Sequence, residues 1–387
     1  MLTCHALTNG ARKHQTAKGN PLQYRPMGAT GLDFSVVSFG AMRIPHITME
    51  EAVAVVHHAV EAGINHFETS PGYGDSEDKL GEALHDRREG LIISTKSHAL
   101  NERTADDLRR KMDESLKRLR VDHLEFYQMW GVNTREIMDI VLSPGGPLEG
   151  AKKARDEGIV DHIGFTTHAP HDIVTEMIET GEFESVTLSY NLIKRHDAPM
   201  IDLAARHNMG VVIMNPLGGG LLGTPSERFL AAATGVEKTT AGTALRYLLA
   251  HEHITCAIVG FHYPWEVDEL TALCERFPGP DEAERRRMEQ VVDELEKPEC
   301  TACGYCRPCP QEIKVPAILI TLQHHRIHGF HDWARKRYPK FKKTIEDCID
   351  CGQCEEKCPQ KLPIRDLLRQ AHEELSTQPA ETGENEK

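Results

Sequence analysis

Residues 36–70 read VVSFGAMRIPHITMEEAVAVVHHAVEAGINHFETS: a β-rich run at Val36–Gly40, a helical stretch at Met49–Ala62, and a second β-rich run at Ile64–Ser70. The same alternation continues to about Arg276, with further predicted strands at Leu91–Lys96, His123–Trp130, His162–Thr167, Ser185–Asn191, Gly210–Pro216 and Thr255–Phe261. Intervening helices are predicted at Thr104–Leu119, Pro147–Glu157 and Thr240–Ala250, the first capped near Asn101 and Arg103–Thr104. Gly31-Leu-Asp33 lies between two short apolar stretches and reads as a hairpin ahead of the first core strand. Strand and helix alternate eight times over about 240 residues, which fits a closed (β/α)8 barrel better than an open sheet.

The surrounding composition narrows the class. The 387 residues are 40% hydrophobic and 27% charged, as in an ordinary globular protein. No apolar run approaches the roughly 20 residues of a membrane-spanning helix. Met1–Asn20 is polar and mixed, so no secretory segment is expected and a cytoplasmic location is. A net charge of −14 argues against general nucleic-acid binding.

Past Arg276 the texture changes: Pro278-Gly279-Pro280 breaks the chain and Asp281–Glu296 reads as a highly charged helix. Eight of the 11 cysteines then fall between Cys300 and Cys358. Without an export signal they read as metal ligands, not disulfides. Cys300, Cys303, Cys306 and Cys309-Pro310 form one run, and Cys348, Cys351, Cys354 and Cys358-Pro359 the other. Three cysteines spaced by two residues can hold three corners of one cubane, and the fourth, beside proline, ligates the other cluster. The second run has this spacing; the first departs by one residue before Cys309. We therefore expect two 4Fe–4S clusters, one on Cys300, Cys303, Cys306 and Cys358, the other on Cys348, Cys351, Cys354 and Cys309. Zinc is the competing reading, but it usually pairs two short Cys-x2-Cys hooks, not two runs of four.

The chain is thus expected to divide into an N-terminal arm (1–22), a barrel (23–277), a linker helix (278–297), an α-helical ferredoxin-type domain (298–375) and a disordered tail (376–387). Arg335–Lys343 carries six basic residues and no acid. Such a run is commonly a solvated face; the sharper reading is a dock for an acidic ferredoxin- or flavodoxin-type electron partner.

Strand ends carry the chemistry of a barrel. The second predicted strand ends in Asn65-His-Phe-Glu68-Thr-Ser-Pro-Gly-Tyr73-Gly-Asp-Ser-Glu77, the third in Ser94-Thr-Lys96, and the fourth in Tyr127-Gln-Met-Trp130-Gly131; Asn215-Pro-Leu-Gly-Gly-Gly220 follows the seventh. In order and spacing these resemble the aldo/keto reductase family over about Gln23–Arg276. With the cysteine-rich extension the chain looks like the iron–sulfur branch of that family. The resemblance implies a nicotinamide-dependent reductase of a small molecule, using NADP or NAD, with an acid, tyrosine, lysine and histidine at the site. Mapped here, Tyr73 is the proton donor and Lys96 the cation that tunes it. Glu68 stands where the family has aspartate. Trp130 stands where it has histidine, and an indole N–H donates only.

The resemblance also suggests cofactor contacts. Thr166 and Thr167 after the fifth strand, and Thr187 and Asn191 on the sixth, would meet the nicotinamide amide, with Tyr190 stacking on the ring. Backbone N–H groups of Pro216-Leu217-Gly218 would approach the pyrophosphate. Gly260, after the eighth strand, stands in Val259-Gly-Phe-His262, which lacks the lysine and arginine that many relatives use for a 2′-phosphate.

A hydride carries two electrons and a cluster normally passes one, and the sequence shows no flavin signature. Three readings follow. The chain is a nicotinamide-dependent reductase of a carbonyl or activated double bond with clusters in a secondary role; a ferredoxin-fed oxidoreductase; or a non-catalytic electron-transfer or scaffold subunit.

Overall fold

The computed structural model describes residues 22–97, 101–230, 239–276, 281–294, 300, 306–358 and 361–376. The N-terminal arm before Leu22, the tail after Ser376, Cys303 and part of the linker lie outside the described residues. A hairpin comes first: β1 (Tyr24–Pro26) pairs antiparallel with β2 (Asp33–Ser35) in the register Arg25↔Phe34. Eight parallel strands then close a barrel: β3 (Val37–Gly40), β4 (His66–Glu68), β5 (Ile92–Lys96), β6 (Leu124–Met129), β7 (Val160–Thr166), β8 (Ser185–Ser189), β9 (Gly210–Met214) and β10 (Cys256–Val259). Each pairs with its sequence neighbour and β10 returns to β3. Seven lie within runs predicted from the sequence, and β7 begins two residues before its predicted run His162–Thr167.

Helices begin where local chemistry favours it. Thr48 and Glu51 form a reciprocal capping box at the helix Met49–Glu61. Thr104 accepts from the Asp107 N–H at 3.1 Å to open Ala105–Leu119.

The hairpin fills the N-terminal end of the barrel. Met27 and Phe34 pack with Ile92, Phe126, Val212 and Cys256, one from each of β5, β6, β9 and β10. Arg25 fastens it, donating to the carbonyls of Leu249, Ile254 and His251 at 2.6, 2.6 and 3.0 Å. This cluster also fixes which strand residues face inward. Counting in twos, Ile92 leads to Ser94 and Lys96, and Phe126 leads to Gln128 and Trp130. Chemistry therefore collects at the carboxyl ends while the opposite end is apolar.

The described residues within 219–243 and 282–376 form a second compact unit. The sequence reading places 219–243 in the barrel; the structure groups them with the C-terminal residues. Ser226 donates to the His328 carbonyl at 2.6 Å, and the Phe229 and Phe330 ring centres lie 5.1 Å apart. Such pairings across about 100 residues leave no local trace. The core of this unit joins the helices Val315–Arg326, His331–Arg337 and Ile364–Leu375 through Ile318, Leu319, Leu322, Ala334, Leu368 and Leu375. No described helix is long and apolar enough to cross a membrane.

Candidate functional site

Glu68 and Lys96 end adjacent strands and face the barrel axis, both nearly inaccessible to solvent. Their carboxylate and ammonium form a direct ion pair. Lys96 Nζ also donates to the Thr69 carbonyl at 2.8 Å and to Tyr73 Oη at 3.2 Å. The extra methylene of Glu68, relative to aspartate, therefore does not cost the pair its contact. Tyr73 sits on the loop after β4, held by tight turns: its N–H donates to the Ser70 carbonyl and its carbonyl accepts from Ser76 N–H. Behind β5, Thr95 and Arg118 both donate to buried Glu77 at 2.7 Å, fixing the start of the next helix.

Burial pushes the Tyr73 phenol above its ordinary pKa, and the Glu68 charge adds to this; Lys96 opposes both without prevailing. Burial also works to lower the Lys96 pKa, but Glu68 and Tyr73 together hold it above the ordinary lysine value. The site therefore presents a protonated phenol beside a permanent cation. That arrangement suits donation of a proton to a developing oxyanion.

Trp130 meets Tyr73 edge-on, with ring centres 6.2 Å apart at 74°. Its backbone N–H donates to Ser97 Oγ at 3.2 Å. The indole also lies against Gly72, where a Cβ would come within 3.1 Å of the ring. Tryptophan thus packs the Tyr73 loop on the side where the family resemblance places histidine.

Period-two alternation sorts the expected cofactor contacts. Thr166 and Thr187 are register partners on the inward face. Thr166 also accepts Gly131 N–H at 3.2 Å, bracing the turn after Trp130. Two expectations need correction. Tyr190 follows Leu188 on the outward face; it is buried, bonds Tyr247 Oη at 2.7 Å and stacks on that ring, so it offers no face to a nicotinamide. Thr167 likewise turns outward, its hydroxyl committed to the Val132 carbonyl and Ala169 N–H. Asn191 is committed to loop structure, donating to the Asn215 carbonyl and accepting from Ile193 and Lys194 N–H. In the 216–218 turn, Pro216 has no N–H and Gly218 donates to the Asn215 carbonyl, which leaves Leu217 as the donor for a pyrophosphate oxygen.

Several inward-facing or contacting residues escape the sequence reading. Alternation alone points to His66, two before Glu68, and to Gln128, two before Trp130. His66 bonds Ser94 Oγ at 2.8 Å, and burial, with Lys96 adding to it, lowers its pKa to about 3. Gln128 reaches across Gly164 to Ser185 Oγ at 3.4 Å; a Cβ on Gly164 would lie 2.4 Å from its Oε1. Arg43, from the loop after β3, lies over Gly260. An arginine stem from a different loop therefore packs at the eighth strand's end.

In the second unit, Cys309, Cys348, Cys351 and Cys354 line one small cavity, with Cys306 also in its wall. These four are the ligand set expected for one cluster, drawn from both cysteine runs. Asp350 N–H donates to Cys348 Sγ at 3.4 Å, and Gly352 turns the loop at φ 73°. The set fits an iron–sulfur cubane, whose acceptor sulfurs and iron match converging thiols and a backbone donor. Of the other expected set, Cys300, Cys306 and Cys358 pack against the same apolar core, while Cys303 lies outside the described residues. Along the basic run, Arg337 covers Trp333 and Phe341 at 5.1 and 5.9 Å, and Lys343 pairs with Asp347 at 2.7 Å.

A parallel eight-stranded barrel with a lysine, tyrosine and carboxylate at its carboxyl end defines an oxidoreductase-type site on a (β/α)8 scaffold. Residues 36–291 match the aldo/keto reductase family, and residues 299–363 match the 4Fe-4S dicluster domain. The chain belongs to the aldo/keto reductase family and is an oxidoreductase carrying a ferredoxin-type dicluster domain. It is 29% identical over 307 residues to L-galactose dehydrogenase of Arabidopsis thaliana, covering 70% of this chain and 95% of that protein. It is 28% identical over 270 residues to 6-dehydroglucose reductase of Novosphingobium aromaticivorans, covering 62% and 86%. The fold is similar to an aldo-keto reductase from Bacillus halodurans in its holo form, with TM-score 0.62 and 21% identity over 70% of this chain and 96% of that one. An aldo/keto reductase from Klebsiella pneumoniae in complex with NADP and acetate gives TM-score 0.59 at 16% identity, over 68% and 93%.

Proposed function

We propose that this chain is a cytoplasmic, nicotinamide-dependent reductase of a carbonyl or an activated double bond in a small molecule. The observation that carries this reading is the buried relay Glu68–Lys96–Tyr73, with Lys96 Nζ 3.2 Å from the phenol oxygen. When bound, the nicotinamide supplies the hydride. Thr166 and Thr187 on the inward face, and the Leu217 N–H, are the groups we assign to holding it. Tyr73 Oη hydrogen-bonds the substrate oxygen and gives up its proton as charge develops there. Lys96 stabilises the resulting phenolate, and Glu68 keeps Lys96 charged and in place. Trp130, lacking an acceptor nitrogen, shapes the pocket beside Tyr73 and favours a flat or conjugated substrate.

Two 4Fe–4S clusters bound crosswise by the eight cysteines serve a secondary role, stapling the small unit and exchanging single electrons with a ferredoxin- or flavodoxin-type protein. The absence of the family's histidine supports a second reading, in which such a partner feeds the barrel and no nicotinamide binds.

Anaerobic titration with NADH and NADPH separates them, following nicotinamide fluorescence and cluster absorbance together. Binding without bleaching is expected. Failure of both nucleotides to bind overturns the nicotinamide reading and leaves the second.

A further inference from the structure

The wall of the Cys309/Cys348/Cys351/Cys354 cavity contains a guanidinium, that of Arg365 at the start of the helix Ile364–Leu375. It is held in place. Nη2 donates to Glu355 Oε2 at 2.7 Å, the Arg365 backbone N–H donates to Glu355 Oε1 at 2.9 Å, and Nη1 reaches the Asp350 carbonyl at 3.4 Å. Nε, by contrast, is buried and has no hydrogen-bond partner among the described residues. A buried donor without an acceptor is costly, and an arginine is seldom fixed this way without one. Arg365 lines the same cavity as Cys309, Cys348, Cys351 and Cys354.

We infer that Arg365 sets the reduction potential of the cluster bound by Cys309, Cys348, Cys351 and Cys354, donating its Nε–H to a cluster sulfur. One-electron reduction adds one negative charge to a cluster and breaks no bond. A fixed cation and a donated hydrogen bond both favour the reduced state, so they raise the potential. Ligands of both sets, Cys358 of one and Cys309, Cys348 and Cys354 of the other, meet the same apolar core, so Arg365 is the feature that sets its cluster apart. The Arg365 cluster is on that ground the more easily reduced of the two. It also reaches the surface, since Cys351 is exposed and its neighbour Ile349 is 60% exposed. Electrons entering the unit rest on the cluster a partner can touch.

This inference rests on the two-cluster reading, and the test separates the two. Anaerobically prepared full-length protein is first assayed for iron, then titrated with dithionite and mediators while EPR is recorded. Fewer than eight irons per chain removes the two-cluster reading and this inference with it. With eight present, two reduction waves are expected. R365Q moves the higher wave to more negative potential and leaves the lower one in place; R365K, which keeps the charge but not the planar donor, moves it less. Waves unmoved in R365Q, or a shift confined to the lower wave, overturn the assignment. Should R365Q fail to hold its clusters, wild-type protein labelled with 15N-arginine decides: the reduced state should show hyperfine coupling to one arginine nitrogen by ENDOR, and no coupling overturns the inference.

Discussion

The barrel site and the cysteine cavity solve the problem of converging polar groups in opposite ways. In the barrel, Glu68 and Lys96 neutralise each other out of water, and strand pairing holds both. That site is complete with nothing bound. In the cavity, five cysteines face one space, and burial pushes the Cys354 thiol up to about 11, with Glu355 adding to it. Thiolates gathered in one cavity repel one another, so on the two-cluster reading proposed above the metal belongs to the fold. One region positions chemistry with backbone, the other with its ligand.

Iron removal should break this contrast most visibly. Chelation under oxidising conditions is expected to make the segment 306–376 fully susceptible to limited proteolysis while 24–218 and 244–276 stay resistant. Equal resistance of all these segments with and without iron would show that the small unit stands on its apolar core alone.

Next in size is Tyr73→Phe. It removes the proton donor but keeps the ring that packs on Trp130. We expect kcat/KM to fall by about 10²–10⁴-fold with iron content unchanged. Turnover within a few fold of wild type would dismiss the phenol from its role and shift weight to the cluster-fed reading.

A smaller effect concerns acid. His66 is neutral in the folded barrel, with its pKa lowered to about 3, against about 6.5 when unfolded. Between these values the unfolded chain binds a proton that the folded chain does not, so stability falls as pH drops from about 6.5 towards 3. The slope is about 1.4 kcal/mol per pH unit for this one group. Hydrogen exchange of the barrel strands at pH 7.5 and 5.5 should show the loss, and His66→Gln should reduce it. An unchanged pH dependence in the variant would assign the acid sensitivity elsewhere.

Legibility in the sequence followed the range of the interactions concerned. Alternating strand and helix runs are local, and all eight barrel strands overlap the predicted segments, with only β7 starting outside its own. Residues spaced along one motif, such as Glu68 and Tyr73, were equally readable, and Cys309 lines one cavity with the second cysteine run, as does Cys306. Side-chain facing near strand ends was less so, because an uncertain boundary hides parity; Tyr190 and Thr167 were misassigned for that reason. Contacts between distant loops left no signature. Arg43 over Gly260 and the docking of Phe229 on Phe330 depend on closure of the whole chain.

The finest test concerns how Trp130 contributes. A tryptophan that only fills space should tolerate a methyl group nearby, whereas one that sets the Tyr73 loop should transmit it. Gly72→Ala adds a Cβ about 3.1–3.2 Å from two indole carbons, at a position whose backbone is not left-handed. The ring must yield by a few tenths of an ångström, and Tyr73 is the next residue. Because displacement of about 1 Å costs about a hundredfold, this smaller shift should lower kcat by less than tenfold, with KM and nicotinamide affinity nearly unchanged. Intrinsic fluorescence should move at the same time, since Trp130 is perturbed directly. A loss confined to KM would instead make this indole part of the substrate pocket wall with no hold on the phenol, and Trp130→Phe would then alter substrate preference but not kcat.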